Sequence, residues 1–582
     1  MTTKTPHRIA LLGNPTRPGN WDPAQLATLV DDGYTGVQIN IAWAYRPNDE
    51  VLNLEDILPV PGSPEPLSHE GAVGRPGRGA ELRRRAALAH EAGLSTLLHV
   101  GIPFQGRAGY DGEPLPQCIS DPATLARYAR SMEDLARLQP NVDDLLIYTF
   151  DQDAWICSEF EGCDRCAGIP LHRRLPKFLN GLAAAWVAAQ PDGRMWWEPW
   201  ELSTGQTLAI IPELDAPNVG LMIHSSIAEV MSTMAGDEFV HDAASLASRY
   251  GIPVVVEVFL SCSNEEVEPW NKLPVPCVTL QQLRNVESVP GVVGVKEYYG
   301  LIPSPFDVNA RAAAAYFRDP HITDDAALGS LAAAFGQPWL KHFWQLVSSA
   351  YRLYPWNASW FARELGYSDP FHELSAAIIR GSQSNAPEWD TPAWRSSRGA
   401  IFMRTTSRES HPWELEDMEL RFAGAANAMA EAIEYATVCG VDVLQTAADG
   451  PDREIQLQVE EAIGFVVRCR AYQLHLRETN LTTLLRSDTA RHDLAVELRD
   501  VLVRDLENQR AEIERISRSA STPPAPSKLQ LAQRWIVDRK SDLGPIERAI
   551  DDLDADLGDF LRRYFLPGDE LAAAGQFSLT SR

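Results

Sequence analysis

The residues best placed to do chemistry in this sequence are carboxylates and histidines at the ends of short apolar runs. Glu257 is the clearest case: in VVVEVFLS three valines precede it and Val-Phe-Leu follows. A charge in such a run is expensive to bury alone, so it needs a partner or a task. Either it pairs with Lys296 or an arginine as part of the structure, or it is aimed into a pocket as nucleophile, base or hydroxyl acceptor. Asp151 and Asp153 in YTFDQDAW, and Glu297 in GVKEYYG, sit at comparable places. The two aspartates have the alternative of capping a following helix, and Glu297 that of an ion pair with Lys296. Around these four catalytic candidates stand Asn40, Trp43, His99, Trp197, Glu198, Glu201, His224, Lys296 and Tyr298, polar or aromatic groups suited to holding a substrate.

Carboxylates among tryptophans point to a sugar. Carbohydrate rings present C–H faces that stack on indoles, and hydroxyls that bind carboxylates and amides. Six of the 16 tryptophans (Trp43, Trp155, Trp196, Trp197, Trp200 and Trp270) fall at or just beyond the ends of apolar runs, although some of these belong to plain core. Glycoside hydrolysis needs one protonated carboxyl for the leaving oxygen and one ionised partner.

A second constellation is sulfur. WICSEFEGCDRCAG places Cys157, Cys163 and Cys166 in a C-x5-C-x2-C cluster, with Cys118 upstream. Four thiolates can close a tetrahedral zinc site that pins loops together, with His172 as a substitute for Cys118. The alternative is free thiols in a reduced cytoplasm. Cys262, Cys277, Cys439 and Cys469 read as isolated residues.

These groups must be carried by regular elements. Residues 8–320 repeat one pattern of apolar run, loop and amphipathic helical stretch. Strands are expected at 9–13, 36–40, 94–100, 145–150, 194–198, 219–224, 254–260 and 292–297, with helices at 22–32, 80–92, 122–137, 173–189, 240–250 and 278–287. Near-continuous apolar runs such as IPVVVEVFL suit parallel strands covered on both faces. Eight such units match a (β/α)8 TIM barrel, whose active site lies at the C-terminal strand ends, where the candidates above cluster. An open doubly wound sheet would show a Gly-rich phosphate turn after its first strand. That turn reads GNPTRPGN, which is neither GxGxxG nor GxxxxGK[ST]. The Pro/Gly-rich insertion 44–79 is expected to be a structureless binding-site wall.

From about residue 323 the periodicity turns helical and strand patterns almost vanish. The chain therefore divides into a barrel over 1–320 and a large all-α domain over 321–582. Within the latter, the Trp-rich segment 381–413 is expected to reach the pocket rim or fill a gap between domains. Residues 518–527 read as a mobile connector, 528–566 as one or two further helices, and 567–582 as a frayed end.

Composition sets outer bounds. Of 582 residues 45% are hydrophobic and 23% charged, which excludes wholesale disorder. A formal net charge of −27 argues against nucleic acid or an anionic membrane as partner. The absence of a long apolar stretch or a leader-like N-terminus predicts a cytoplasmic protein. Identical subunits remain open.

The strand-end acids, the WWE run, and DDAALGSLAAAFG followed by FWQLVSSAYRLYP resemble glycoside hydrolases in which a barrel precedes a helical domain, of the α-glucuronidase and hexosaminidase-like kind, over residues 8–500. That resemblance implies a retaining enzyme with its acid/base after the fourth strand, at Asp151 or Asp153, and its nucleophile at the end of the seventh, at Glu257. The chain departs from the pattern in having Asp-Gln-Asp where a Glu is usual. The cysteine layout partly resembles that of family 42 β-galactosidases, which implies a structural zinc and no cofactor for catalysis. The expected function is an intracellular glycosidase acting from the end of a small oligosaccharide or glycoside. The alternatives are a metal-dependent lyase or isomerase built on His99, His224 and the carboxylates, and a barrel that binds sugar without turning it over.

Overall fold

The computed structural model describes residues 6–14, 17–41, 50–66, 73–106, 108, 114–150, 153–160, 162–199, 202, 204–215, 217–224, 238–260, 273–298, 300–354, 412–444, 450–488, 490–521, 543–544 and 546–560. Eight parallel strands close into a barrel: β1 (His7–Leu11), β2 (Gly36–Gln38), β3 (Ser95–Gly101), β4 (Asp144–Tyr148), β5 (Met195–Glu198), β6 (Val219–His224), β7 (Val254–Val258) and β8 (Val292–Glu297), with β8 pairing back onto β1. All eight expected strands are present. Between and after them run α1 (Pro23–Asp31), α2 (Arg75–Glu91), α3 (Pro122–Leu138), α4 (Leu171–Ala189), α5 (Thr204–Ile210), α6 (Glu238–Arg249), α7 (Pro276–Glu287), α8 (Val308–Arg318) and α9 (Asp324–Ala334). Local chemistry starts several of them. Asp22, Asp121, Asp307 and Thr323 each accept a backbone N–H at a helix N-terminus, satisfying donors the helix itself cannot.

The barrel interior is layered. Ile9, Leu97, Leu146, Trp196, Met222 and Val255 form one buried inward cluster. Trp196 fits because β6 has Gly220 beside it, where a Cβ would lie 2.3 Å from the indole. Side chains alternate along a strand, so the next inward layer comes two residues later. That step takes Leu97 to His99, Leu146 to Tyr148, Trp196 to Glu198, Met222 to His224 and Val255 to Glu257. The packed apolar layer is thus the floor on which polar groups stand.

The insertion 44–79 is only partly what its composition suggests. Val51, Leu52, Leu54, Ile57, Leu58 and Val60 are buried around a short 3-10 turn at Leu54–Asp56, and helix α2 already begins at Arg75. Six apolar residues in ten make this stretch core rather than a structureless wall; residues 42–49 and 67–72 lie outside the described residues.

The described residues divide into two compact units, one ending at Lys341 and the other beginning at His342. The second is helical among its described residues: most of α10 (Leu340–Leu353), then α11 (Pro412–Val438), α12 (Pro451–Ser487) and α13 (His492–Ser521). Its core combines an aromatic group, with Tyr354, Phe422, Phe465 and Tyr472 rings 5.1–5.5 Å apart, and a leucine-rich seam that includes Leu481, Leu485, Leu498 and Leu502. Helix α13 runs through residues 518–521, which were expected to belong to a mobile connector. Residues 355–411, and with them most of the Trp-rich segment, lie outside the described residues, as do 561–582. No helix among the described residues is long and apolar enough to cross a membrane.

Candidate active site

Five strands deliver one row of acids and bases to the C-terminal end of the barrel. His99 Nε2 lies 2.5 Å from Glu198 Oε2. His224 Nε2 contacts Glu198 Oε1 and lies 2.9 Å from Glu257 Oε2. Lys296 Nζ donates to Glu257 Oε1 at 2.6 Å. The order is therefore Lys296, Glu257, His224, Glu198, His99, with bases and acids alternating. Strand register sets the spacing, since Lys296 and His224 each stand directly beside Glu257 on neighbouring strands. All five are buried, Glu257 completely. A charge at such depth survives only when compensated, and here both carboxylates have a basic group on each side.

The electrostatics follow from that order. Burial works against ionisation of Glu198, yet His99 and His224 hold its carboxyl well below the usual range. Burial likewise opposes ionisation of Glu257, and Lys296 and His224 hold it below its ordinary value. For His224, burial disfavours the imidazolium, but Glu257 and Glu198 overcome it and push the ring up to about 9. The same two carboxylates thus favour the protonated form of His224, whose Nε2 is hydrogen-bonded to Glu198. The rings of Tyr298 and Tyr148 pack edge-on against His224 and His99 at 4.7 and 5.1 Å.

Several candidates have other employment. Asn40 is not free to hold a substrate: its Nδ2 donates to the Val51 and His99 carbonyls, and its Oδ1 accepts from the His99 N–H. It extends the backbone ladder beyond the end of β2 and fixes His99. Trp197 is fully buried in the core cluster that includes helix side chains, because its neighbours Trp196 and Glu198 take the inward positions. Glu297 alternates away from Lys296 in the same manner. Its carboxylate accepts from the Leu260 and Gly300 N–H groups at 2.7 and 2.9 Å, and burial pushes it up to about 7. It braces the strand ends rather than joining the row. Asp153 takes a left-handed backbone (φ 70°), and its carbonyl accepts from Gln105 N. Asp151, Trp43 and Glu201 lie outside the described residues. Glu198, expected only to bind substrate, is the carboxylate that faces Glu257.

Among the described residues, two groups of side chains could hold a metal. Glu198, His224 and Glu257 offer ligand atoms all within 4.8 Å of one another, though Lys296 already occupies one oxygen of Glu257. Cys118, Cys157, Cys163 and Cys166 do the same, without recourse to His172.

No family model matches the chain, and no curated protein does either. Solved structures do. A GH138 enzyme targeting pectin rhamnogalacturonan II aligns over 95% of this chain and 70% of its own, with TM-score 0.55 and 12% identity. The structure of CpGH84B aligns over 87% and 73%, with TM-score 0.38 and 11% identity. A GH5_18 protein from Bifidobacterium longum subsp. longum, in complex with Manb1-4GlcNAc, aligns over 54% and 78%, with TM-score 0.35 and 14% identity. The fold is a glycoside hydrolase-like (β/α)8 barrel followed by a helical region. At such identity the likeness concerns the fold; the chemistry has to come from the residues.

Proposed function

We propose that this protein is a retaining glycoside hydrolase in which Glu257 is the nucleophile and Glu198, with His224, handles the proton. The observation that carries the reading is the approach of the two carboxylates at the C-terminal end of the barrel: one oxygen of Glu198 and one of Glu257 lie within 4.8 Å of each other. Retaining enzymes hold their carboxyl groups about 5–5.5 Å apart, whereas inverting ones need roughly 6.5–9.5 Å to admit a water. The division of labour follows from the neighbours. Lys296 keeps Glu257 ionised, as a nucleophile requires. Glu198 is hydrogen-bonded to His224, whose raised proton affinity gives the pair a proton to deliver and retake.

In the first step a Glu257 oxygen forms a bond to the anomeric carbon as the glycosidic C–O bond breaks. The proton held between His224 and Glu198 passes to the departing oxygen. In the second step water attacks the same carbon, Glu198 takes up its proton, and the ester to Glu257 breaks. The same reading includes action from the end of a small oligosaccharide or glycoside.

A panel of nitrophenyl glycosides, followed by NMR of the first-formed anomer, tests this. Turnover of one sugar with retained configuration is expected; an inverted product, or no turnover across the panel, overturns the reading. The Glu198, His224 and Glu257 donor set favours one rival, a divalent cation serving a lyase or isomerase. Activity that disappears with chelator and returns with added metal, and yields no hydrolysis product, would establish the rival instead.

A further inference from the structure

The four cysteines converge from distant parts of the chain. Cys118 lies between β3 and α3, while Cys157, Cys163 and Cys166 lie between β4 and α4. Cys118 Sγ is 3.3 Å from Cys166 Sγ and 3.6 Å from Cys163 Sγ, and all four sulfurs are within 4.8 Å of one another. Zinc–sulfur bonds of about 2.3 Å in a tetrahedron set sulfur–sulfur edges of about 3.8 Å, within the range seen. The four are free thiols, and their separations far exceed the roughly 2.0 Å of a disulfide.

A second observation comes from Arg174 on α4. Its side chain is buried; Nε donates to the Ile169 carbonyl at 2.8 Å and Nη2 to the Cys157 carbonyl at 2.9 Å. Its Nη1 is buried without a hydrogen-bond partner. Glu159 forms a long ion pair with Nη2 at 3.4 Å, which leaves Nη1 unspent. A guanidinium is costly to bury with a donor unspent unless a diffuse negative charge lies beside it. Four thiolates around a divalent cation carry a net charge of −2, spread over large sulfurs.

We propose that Cys118, Cys157, Cys163 and Cys166 bind one zinc ion as a structural tetrathiolate, with Arg174 as its buried counter-charge. The ion would pin the β3–α3 and β4–α4 connections to each other at the end of the barrel that carries the acid–base row. Side-chain chemistry beside it points to the same purpose. Gln105 Nε2 donates to the Gln117 and Trp155 carbonyls at 2.8 and 2.7 Å, and its Oε1 accepts from Gln117 N, sewing the same two connections together. Ile119, Trp155 and Ile156 are in the core, but beyond Ser158 the second connection is exposed: Phe160 is 80% exposed, and Asp164, Arg165, Ala167 and Gly168 face solvent. A metal supplies the cross-link that this stretch cannot obtain from a core. The proposal holds whether or not the barrel hydrolyses glycosides.

The full-length protein, purified without chelator, should contain about one zinc per chain by elemental analysis. Cobalt put in its place should show the thiolate-to-metal charge-transfer absorption and strong visible bands of a tetrahedral sulfur site. Cys163→Ser and Cys118→Ser should lose the metal and melt several degrees lower, while Cys439→Ser, in the helical unit, retains both. Arg174→Gln should weaken zinc retention about 10-fold, the usual scale for a group supporting the ligands. If the serine variants fail to fold, the zinc content and cobalt spectrum of the unmutated protein decide. Metal-free protein whose melting is unchanged by added zinc, a Cys118–Cys166 disulfide, or zinc that persists in Cys163→Ser would each overturn the proposal.

Discussion

Lys296 Nζ lies 2.6 Å from Glu257 Oε1, across the register pair that joins β8 to β7, and both side chains are buried. The contact meets the structural expectation for Glu257, an ion pair with Lys296. The carboxylate has the structural partner that its apolar strand demands, and that partner touches only one of its oxygens. The other faces His224, and beyond it Glu198. Pairing does not exclude the proposed nucleophilic role: the ammonium beside it holds the buried carboxylate in its ionised form.

Replacing Glu257 should consequently cost stability as well as activity. Glu257→Gln leaves the Lys296 ammonium buried without a counter-charge, and breaking a buried pair from one side costs about 3–5 kcal/mol. Turnover should fall at least ~100-fold. The double variant Glu257→Gln, Lys296→Met should regain much of the lost stability, because no uncompensated charge remains, and none of the activity. Chemical denaturation and initial rates on the same preparations check both halves. A double variant as unstable as the single one would refute the role given to Lys296.

Glu198 and Glu257 should separate by leaving group. If Glu198 and His224 deliver the proton, Glu198→Gln will cripple hydrolysis of glycosides with poor leaving groups and spare the first step with an activated one, such as a dinitrophenyl glycoside. Glu257→Gln should impair both alike. A plot of log kcat/KM against leaving-group pKa, steeper in Glu198→Gln than in the parent, is the expected signature. Equal slopes would remove Glu198 from proton transfer.

The barrel was legible in the sequence because eight apolar runs with helical stretches between them leave few other closed arrangements. The pair of carboxylates was only half legible. Glu257 stood out because valines surround it, whereas Glu198 was masked by MWWEPWE, where two acids and three tryptophans compete for attention. Period-two alternation could have resolved it: Trp196 and Glu198 share one face and Trp197 takes the other, as Lys296 and Glu297 part company on β8. What alternation could not supply was the phase, since either face of a barrel strand is apolar in its lower half. Nor does any local signal reveal that Asn40 would substitute for a strand ladder instead of binding a ligand. That depends on where β2 stops relative to His99, fifty-nine residues away.

Stability should decline from mildly acidic to alkaline pH. His224 is raised in the fold from 6.5 to about 9, so its contribution is complete below about pH 6.5 and fades as pH rises through 9. Glu55 and Glu297 are raised from 4.5 to about 7, mainly by burial; ionising them destabilises the fold progressively between those values. Glu198 and Glu257 act in the opposite sense, being depressed, and their contribution is lost only as pH falls below about 4.5. The net charge of −27 adds self-repulsion toward high pH. Melting temperature should therefore peak near pH 5–6 and drop by pH 9, and kcat should lose its alkaline limb near pH 9, where His224 gives up its proton. A melting temperature that rises from pH 6 to pH 9 would contradict these assignments.

Asn40 offers the sharpest test of how the site is held. Its amide makes three buried hydrogen bonds, two to His99 backbone and one to Val51, and none to an acidic or basic side chain of the row. Asn40→Ala leaves the His99 N–H and two carbonyls unsatisfied, a loss of about 2–5 kcal/mol. Asn40→Asp should be no better, since a carboxylate can accept from the N–H but cannot donate to either carbonyl. Any loss of turnover should act through His99. In a double-mutant cycle Asn40→Ala should therefore reduce kcat in the parent and change it little in a His99→Ala background, while the stability cost persists in both. Activity losses that simply add would mean that Asn40 meets the substrate itself, and the ladder would then be its secondary task.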